Sequence, residues 1–146
     1  MKPALIAVFF VFNAIFASGI TVPMTPDIGA EARQRAREFL DENPNRRLGF
    51  VGNTRSMVPT FDAEYIVVME PVPFENLKRN QIVVFDAPWA PTTVVHRLYS
   101  RFGDSWKTKG DRLENPDPTL LTKENYAGSV IIAAIHKQSG RVVRFF

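Results

Sequence analysis

The chain has 146 residues, 45% of them hydrophobic and 23% charged, a length and balance that build one domain around a real core and exclude a disordered chain. No cysteine is present, which excludes disulfides and thiolate metal sites while leaving the redox compartment open. The net charge of +3 is mild and the arginines are interleaved with acids, so no nucleic acid is indicated, only weak attraction to an anionic membrane surface.

From Pro3 to Pro26 there is no charged residue, and Ala4 to Val22 is apolar apart from Asn13, Ser18 and Thr21. As a helix this run is just long enough to cross about 30 Å of hydrocarbon. Two readings compete for residues 1–22: a retained membrane anchor, or a cleaved signal peptide, for which Lys2 and the small residues Ala17-Ser18-Gly19 speak. Residues 23–47 read as an amphipathic helix and linker. Thr25 supplies a hydroxyl cap, Pro26 the first helical position and Asp27 an acid in the first turn. Ile28, Ala32, Ala36 and Phe39-Leu40 then share one face, Glu31 with Arg35 and Arg37 with Asp41 share the other, and Pro44 stops the helix. Such a helix packs on the domain or lies on lipid, with its arginines as a solvated face.

From Leu48 the pattern turns to strands, and residues 48–146 form the remaining domain. Leu48 to Gly52, Tyr65 to Met69, Gln81 to Phe85 and Thr92 to Tyr99 are short runs rich in β-branched residues. Gly103-Asp104 predicts a hairpin from Tyr99-Phe102 to Trp106-Thr108, and Val130 to Ile135 is predicted to pair with Arg141 to Phe145 across Ser139-Gly140. Many short strands with Pro- and Gly-rich turns predict an all-β fold, a partly closed barrel. Pro71, Pro73, Pro88 and Pro91 read as turn punctuation around the central strands.

Three stretches carry candidate chemistry. In Gly52-Asn53-Thr54-Arg55-Ser56-Met57-Val58-Pro59-Thr60-Phe61, Pro59 stiffens the backbone just after Ser56, as a nucleophile needs; read alone, the string is equally a proline turn between strands. Val94-Val95-His96-Arg97-Leu98 supplies a histidine, and Thr108-Lys109-Gly110-Asp111 leads on to Asp117. A serine hydroxyl needs a base to take its proton, and an unperturbed imidazole near 6.5 suits that task. His96 is a candidate base, although a lone histidine in a strand also reads as a structural side chain, as His136 does, and Lys78 and Lys109 stand as rival bases. An aspartate would orient the imidazole, and both Asp111 and Asp117 follow the last strand of this group.

These boxes resemble the signal peptidase I family of serine peptidases and their self-cleaving SOS-repressor relatives. The resemblance runs from Leu48 to Ser129: Ser56-Met57-Val58-Pro59-Thr60 is similar to the nucleophile box, Gln81-Ile82-Val83-Val84-Phe85 to the central strand and Thr108-Lys109-Gly110-Asp111 to the last box. His96 stands where bacterial members carry a lysine, as in the endoplasmic-reticulum and archaeal type. The resemblance implies a peptidase domain over residues 48–146, with Ser56 as nucleophile and His96 as base. It puts the orienting acid six positions after Asp111, at Asp117. Asp111 is then a supporting residue that holds its loop through backbone hydrogen bonds, and Thr54 an oxyanion-hole hydroxyl beside the Ser56 amide. No cofactor or metal is implied. The implied partners are a polypeptide substrate, cut after small residues in exported or membrane-inserted proteins, and membrane lipid. A retained single N-terminal span would place the catalytic domain outside the cytoplasm; a cleaved segment would make the protein secreted. The family's Gly-Asp pairs are replaced by Glu64-Tyr65 and Asn80-Gln81, and only Gly110-Asp111 keeps the pair, which leaves open a self-processing or partner-specific peptidase and an inactive binding subunit.

Overall fold

The computed structural model describes residues 9–11, as backbone, and residues 27–145. In chain order the elements are β1 (Phe9–Val11), α1 (Ala30–Glu42), β2 (Arg47–Val51), β3 (Tyr65–Pro71), a 3-10 turn (Phe74–Asn76), β4 (Ile82–Phe85), β5 (Val94–Phe102), β6 (Ser105–Lys109), β7 (Tyr126–His136) and β8 (Val142–Arg144). The apolar helix expected over residues 1–22 lies outside the described residues except at Phe9–Val11. There the backbone is extended and pairs antiparallel with β2, an arrangement that aromatic and β-branched residues favour and that fills an otherwise open strand edge. Among the described residues no helix is long and apolar enough to cross a membrane.

The strands form one antiparallel sheet in the order β1-β2-β3-β7-β4-β5-β6, with β8 attached to β7. Its middle is β7, which pairs with β3 along one edge and with β4 and then β8 along the other. The expected hairpins are present, β5 to β6 around Gly103-Asp104 and β7 to β8 around Ser139-Gly140. The partly closed barrel is not: the sheet is open, because no ladder joins β6 to β1 and Trp106 of β6 instead bridges to Leu121. Register shifts in the β3–β7, β4–β7 and β5–β6 ladders add local twist without bringing the ends together.

Both faces of the sheet's middle are covered. Val67, Met69, Ile82, Val84, Val95, Ile131 and Ala134 build one core with Met57 and Phe61, while Ile66, Val68, Ala133 and Ile135 meet the apolar stripe of α1 on the opposite face. Tyr65–Met69 of β3 and all of β4 are therefore buried, and their sequences read as continuous apolar runs rather than alternating ones. A third core, with Leu77, Val83, Phe85, Val94, Leu98, Trp106 and Leu121, lies under the β4–β5–β6 end.

The helix buries the residues its spacing predicts, Ala32, Ala36, Phe39 and Leu40, with Ile28 just ahead of it. It starts later than the Thr25-Pro26-Asp27 signal indicates, with Gly29 as its N-cap. The cause is tertiary: the Gly29 amide donates to Lys137 O at 2.8 Å, and Asp27 lies 3.4 Å from the Lys137 ammonium, so the chain is pinned to the β7–β8 turn before it coils. Glu31 pairs with Arg35 as expected, whereas Arg46 turns to Glu42 and Glu70 and so fastens the helix end to β3.

The turn that receives the helix depends on Gly140, which has φ +68° and whose added Cβ would lie 2.4 Å from Glu31 Cγ and 3.0 Å from the Glu31 carbonyl carbon. Gly140→Ala therefore combines left-handed strain with a clash against helix backbone, and should lower stability by about 1–3 kcal/mol in urea denaturation. The equivalent change at Gly128, which has φ +81° but open space around it, should cost only the strain.

Candidate active site

Ser56 sits in the loop between β2 and β3, and the loop is held by what flanks the serine. Met57 and Phe61, 1% and 2% exposed, plug into the core beneath the sheet, an anchorage of about 1.5–3 kcal/mol for each side chain. Thr60 and Phe61 donate their amides to Met57 O at 2.8 and 3.2 Å, and Val58 donates to Arg55 O at 3.2 Å, closing a tight turn through the serine. The Val58–Pro59 peptide is cis. Arg55, directly before Ser56, takes φ +57°, a conformation that costs a non-glycine residue about 1 kcal/mol or more and that tends to be kept at functional sites.

His96 lies within β5, paired with Val83 of β4, rather than at a strand end. Its side chain is 1% exposed, and Nδ1 is 2.7 Å from Asp117 Oδ2, itself on a side chain only 4% exposed. Thr108 of β6 donates its hydroxyl to the same carboxylate oxygen at 2.6 Å. The Asp117 amide donates to Thr108 O at 2.8 Å, so this residue is secured to β6 by backbone as well as side chain despite Pro116 and Pro118 on either side. An ionised carboxylate only accepts hydrogen bonds, which puts the imidazole proton on Nδ1 and leaves Nε2 of the neutral ring as a lone-pair acceptor.

Asp111 has a different environment. Arg97 donates to it twice, from Nε at 2.8 Å and Nη2 at 2.7 Å, and the Thr60 hydroxyl donates to Oδ2. These partners are side chains, where backbone amides were expected, because the carboxylate points across to the serine loop and to β5. The bidentate pair is the strong geometry for an arginine and a carboxylate. Together Asp111, Arg97 and Thr60 tie the serine loop, the histidine strand and the last loop to one another. Arg112 adds a backbone tie, its amide donating to Ser56 O at 3.0 Å.

Serine and histidine meet at Gly110. A Cβ there would lie 2.8 Å from Ser56 O and 3.0 Å from His96 Nε2, so only a glycine leaves the two in place. Ser56 Oγ, His96 Nε2 and Thr54 Oγ1 are all buried without a hydrogen-bond partner. An orphaned buried polar atom costs about 1–3 kcal/mol, and native structures retain few. Here the candidate nucleophile, the free nitrogen of the candidate base and the candidate oxyanion donor are all among them. The rival bases stand apart: Lys78 is exposed, and the Lys109 ammonium lies 5.6 Å from the Tyr99 ring on the outer face of the hairpin. His136 accepts from the Ser139 amide at 3.3 Å in the β7–β8 turn, as befits a structural side chain.

Sequence reading missed the roles of Arg97, Thr60 and Thr108 although all three lie inside the boxes it singled out. Strand alternation in β6 was the usable signal, because it puts Thr108 on the buried face and Lys109 on the outer one. Comparison with known proteins finds no matching family model, no matching curated protein and no matching solved structure.

Burial alone would raise the Asp111 carboxyl, but hydrogen bonds from Arg97 and Thr60 and the arginine charge outweigh it and hold the group below its ordinary value. A carboxylate depressed in the folded state stabilises it fully above the unfolded value of about 3.9, and this contribution fades as pH falls through the folded value. Asp111→Asn should therefore cost about 1–3 kcal/mol at pH 7, and urea melts of wild type and variant should converge as the pH falls from the unfolded value through the lower folded one.

Proposed function

We propose that the chain is a serine endopeptidase of the signal-peptidase kind, with Ser56 as nucleophile, His96 as general base and Asp117 as the residue that orients it. The observation that carries this reading is the buried His96–Asp117 pair, 2.7 Å at Nδ1, whose other nitrogen is unpartnered, as is the buried Ser56 hydroxyl, so that the two are not hydrogen-bonded to each other in this structure. In the proposed reaction Ser56 Oγ attacks the scissile carbonyl while His96 Nε2 takes its proton. Asp117 stabilises the imidazolium that forms, and the proton passes to the leaving amine as the acyl-enzyme appears. Water then repeats the sequence and frees the serine. The Ser56 amide and the Thr54 hydroxyl are the proposed donors to the oxyanion, each worth on the order of 3 kcal/mol of barrier.

Exported or membrane-inserted proteins cut after small residues are the substrates the sequence resemblance supports. So are a retained N-terminal span and a catalytic domain outside the cytoplasm. A second reading, a self-processing or partner-specific peptidase on the same site, is favoured by closure: Ser56 and His96 are each 1% exposed, so a peptide reaches them only by displacing what packs over them. A tethered or dedicated substrate does that more readily than a free one.

Incubation of the purified protein with unrelated peptides, with signal-bearing precursors and with itself separates these readings. Ser56→Ala should abolish cleavage while Ser100→Ala, a change in the outer part of β5, leaves it intact; cleavage by Ser56→Ala near the wild-type rate would overturn the assignment. Asp117→Asn, which favours the wrong imidazole tautomer, should lower kcat by about 10³–10⁴-fold with little change in KM.

A further inference from the structure

The loop joining β4 to β5 places Trp89 against the imidazole of His96, ring planes 24° apart and centroids 6.4 Å apart in an offset stack. Phe85, at the end of β4, meets the same imidazole edge-on at 6.4 Å. A short turn fixes Trp89, with the Ala90 amide donating to Ala87 O at 3.0 Å, and the Asp86 amide ties the loop to Asn125 O at 2.8 Å. The indole N–H is the informative group. It donates to Thr119 Oγ1 at 2.9 Å, and Thr119 lies two residues beyond Asp117 on the loop that presents the carboxylate. The side chain that covers the histidine is thus fastened to the segment that carries the histidine's partner.

We propose that Trp89, latched by Thr119, is a positioning residue that keeps the His96 ring turned with Nδ1 on Asp117 and Nε2 free towards Gly110 and Ser56. Turning the ring over about its Cβ–Cγ bond would exchange Nδ1 with Cδ2 and Nε2 with Cε1, withdrawing the N–H from Asp117 and the acceptor nitrogen from the serine side. In a dry, closed site a flat ring laid over the imidazole opposes that rotation and keeps water from competing for the Asp117 carboxylate. Thr119 adds distance control, because a shift of Trp89 drags the Asp117 loop with it. The inference rests on the proposed function only in giving the free nitrogen a purpose. The ring orientation itself can be read whether or not the protein cleaves anything.

The test uses the full chain with ¹⁵N-labelled histidine, and long-range ¹H–¹⁵N spectra that distinguish the two neutral tautomers of His96 and follow solvent exchange of its ring proton. Wild type should show one tautomer, protonated at Nδ1, with slow exchange. Thr119→Val and Trp89→Phe keep the packing and remove the hydrogen bond; both should retain that tautomer while the Nδ1 proton exchanges about five- to tenfold faster, the effect of losing one hydrogen bond. Trp89→Ala should populate both tautomers. Unchanged exchange in Thr119→Val and Trp89→Phe would overturn the proposal even if Trp89→Ala failed to fold, and so would a folded Trp89→Ala with wild-type spectra. Wild-type protein that cleaves no peptide while the variants shift as described would reject the peptidase reading and leave the latch standing.

Discussion

The eleven-residue strand β7 pairs with three other strands, and the rest of the sheet hangs from that pairing. On one edge β3 fixes where the serine loop ends, since Phe61 and Tyr65 lead directly from that loop into the strand and are buried in its core. On the other edge β4 carries β5, and with it His96, opposite Val83. The separation between candidate nucleophile and candidate base is therefore set by a ladder of backbone hydrogen bonds through the middle of the domain, with an apolar core packed on each face. Site-building residues on strands keep geometry better than residues on loops, and here the base is on a strand while the serine loop is pinned by Met57 and Phe61.

Two aspartates six residues apart do different work because their neighbours differ. Asp111 is half-buried against an arginine that donates twice, an arrangement that satisfies the charge and joins three segments. Asp117 is more deeply buried and has no cationic side chain bonded to it, only an imidazole and a threonine hydroxyl. A carboxylate without an arginine to neutralise it is the one able to favour a positive imidazole beside it, since the developing charge then has a counter-ion waiting.

Several unfavourable features collect in the same few residues, while left-handed Asn80, the unpartnered Thr92 hydroxyl and the unpartnered Trp106 indole lie elsewhere among the described residues. Left-handed Arg55, the unpartnered Thr54 and Ser56 hydroxyls and the unpartnered His96 nitrogen lie within or against one loop. Each costs free energy in the folded protein, and the surrounding anchors offset it: the Met57 and Phe61 plugs, the Arg97–Asp111–Thr60 clamp and the Gly110 contact. A scissile peptide that hydrogen-bonded to those orphaned atoms would recover part of that cost, which links the local strain to the proposed chemistry.

Much of this was legible in residue order. The strand runs, both hairpins and the helix face Ala32-Ala36-Phe39-Leu40 follow from local signals, namely β-branched runs, turn residues and helical spacing, whereas the grouping of Ser56, His96 and Asp117 is expected only from the family resemblance. The open sheet, the late start of α1, the side-chain partners of Asp111 and the aromatic cover over His96 follow from neither. Each depends on what is brought alongside from elsewhere in the chain: Leu121 occupying the β6 edge, Lys137 capturing Gly29, Arg97 and Thr60 converging on one carboxylate, Trp89 reaching Thr119. Periodicity reports which face a side chain takes on its own element. Which element arrives on that face is decided only when the strands pair and the cores close, because hydrogen bonds and burial are satisfied there between residues far apart in sequence.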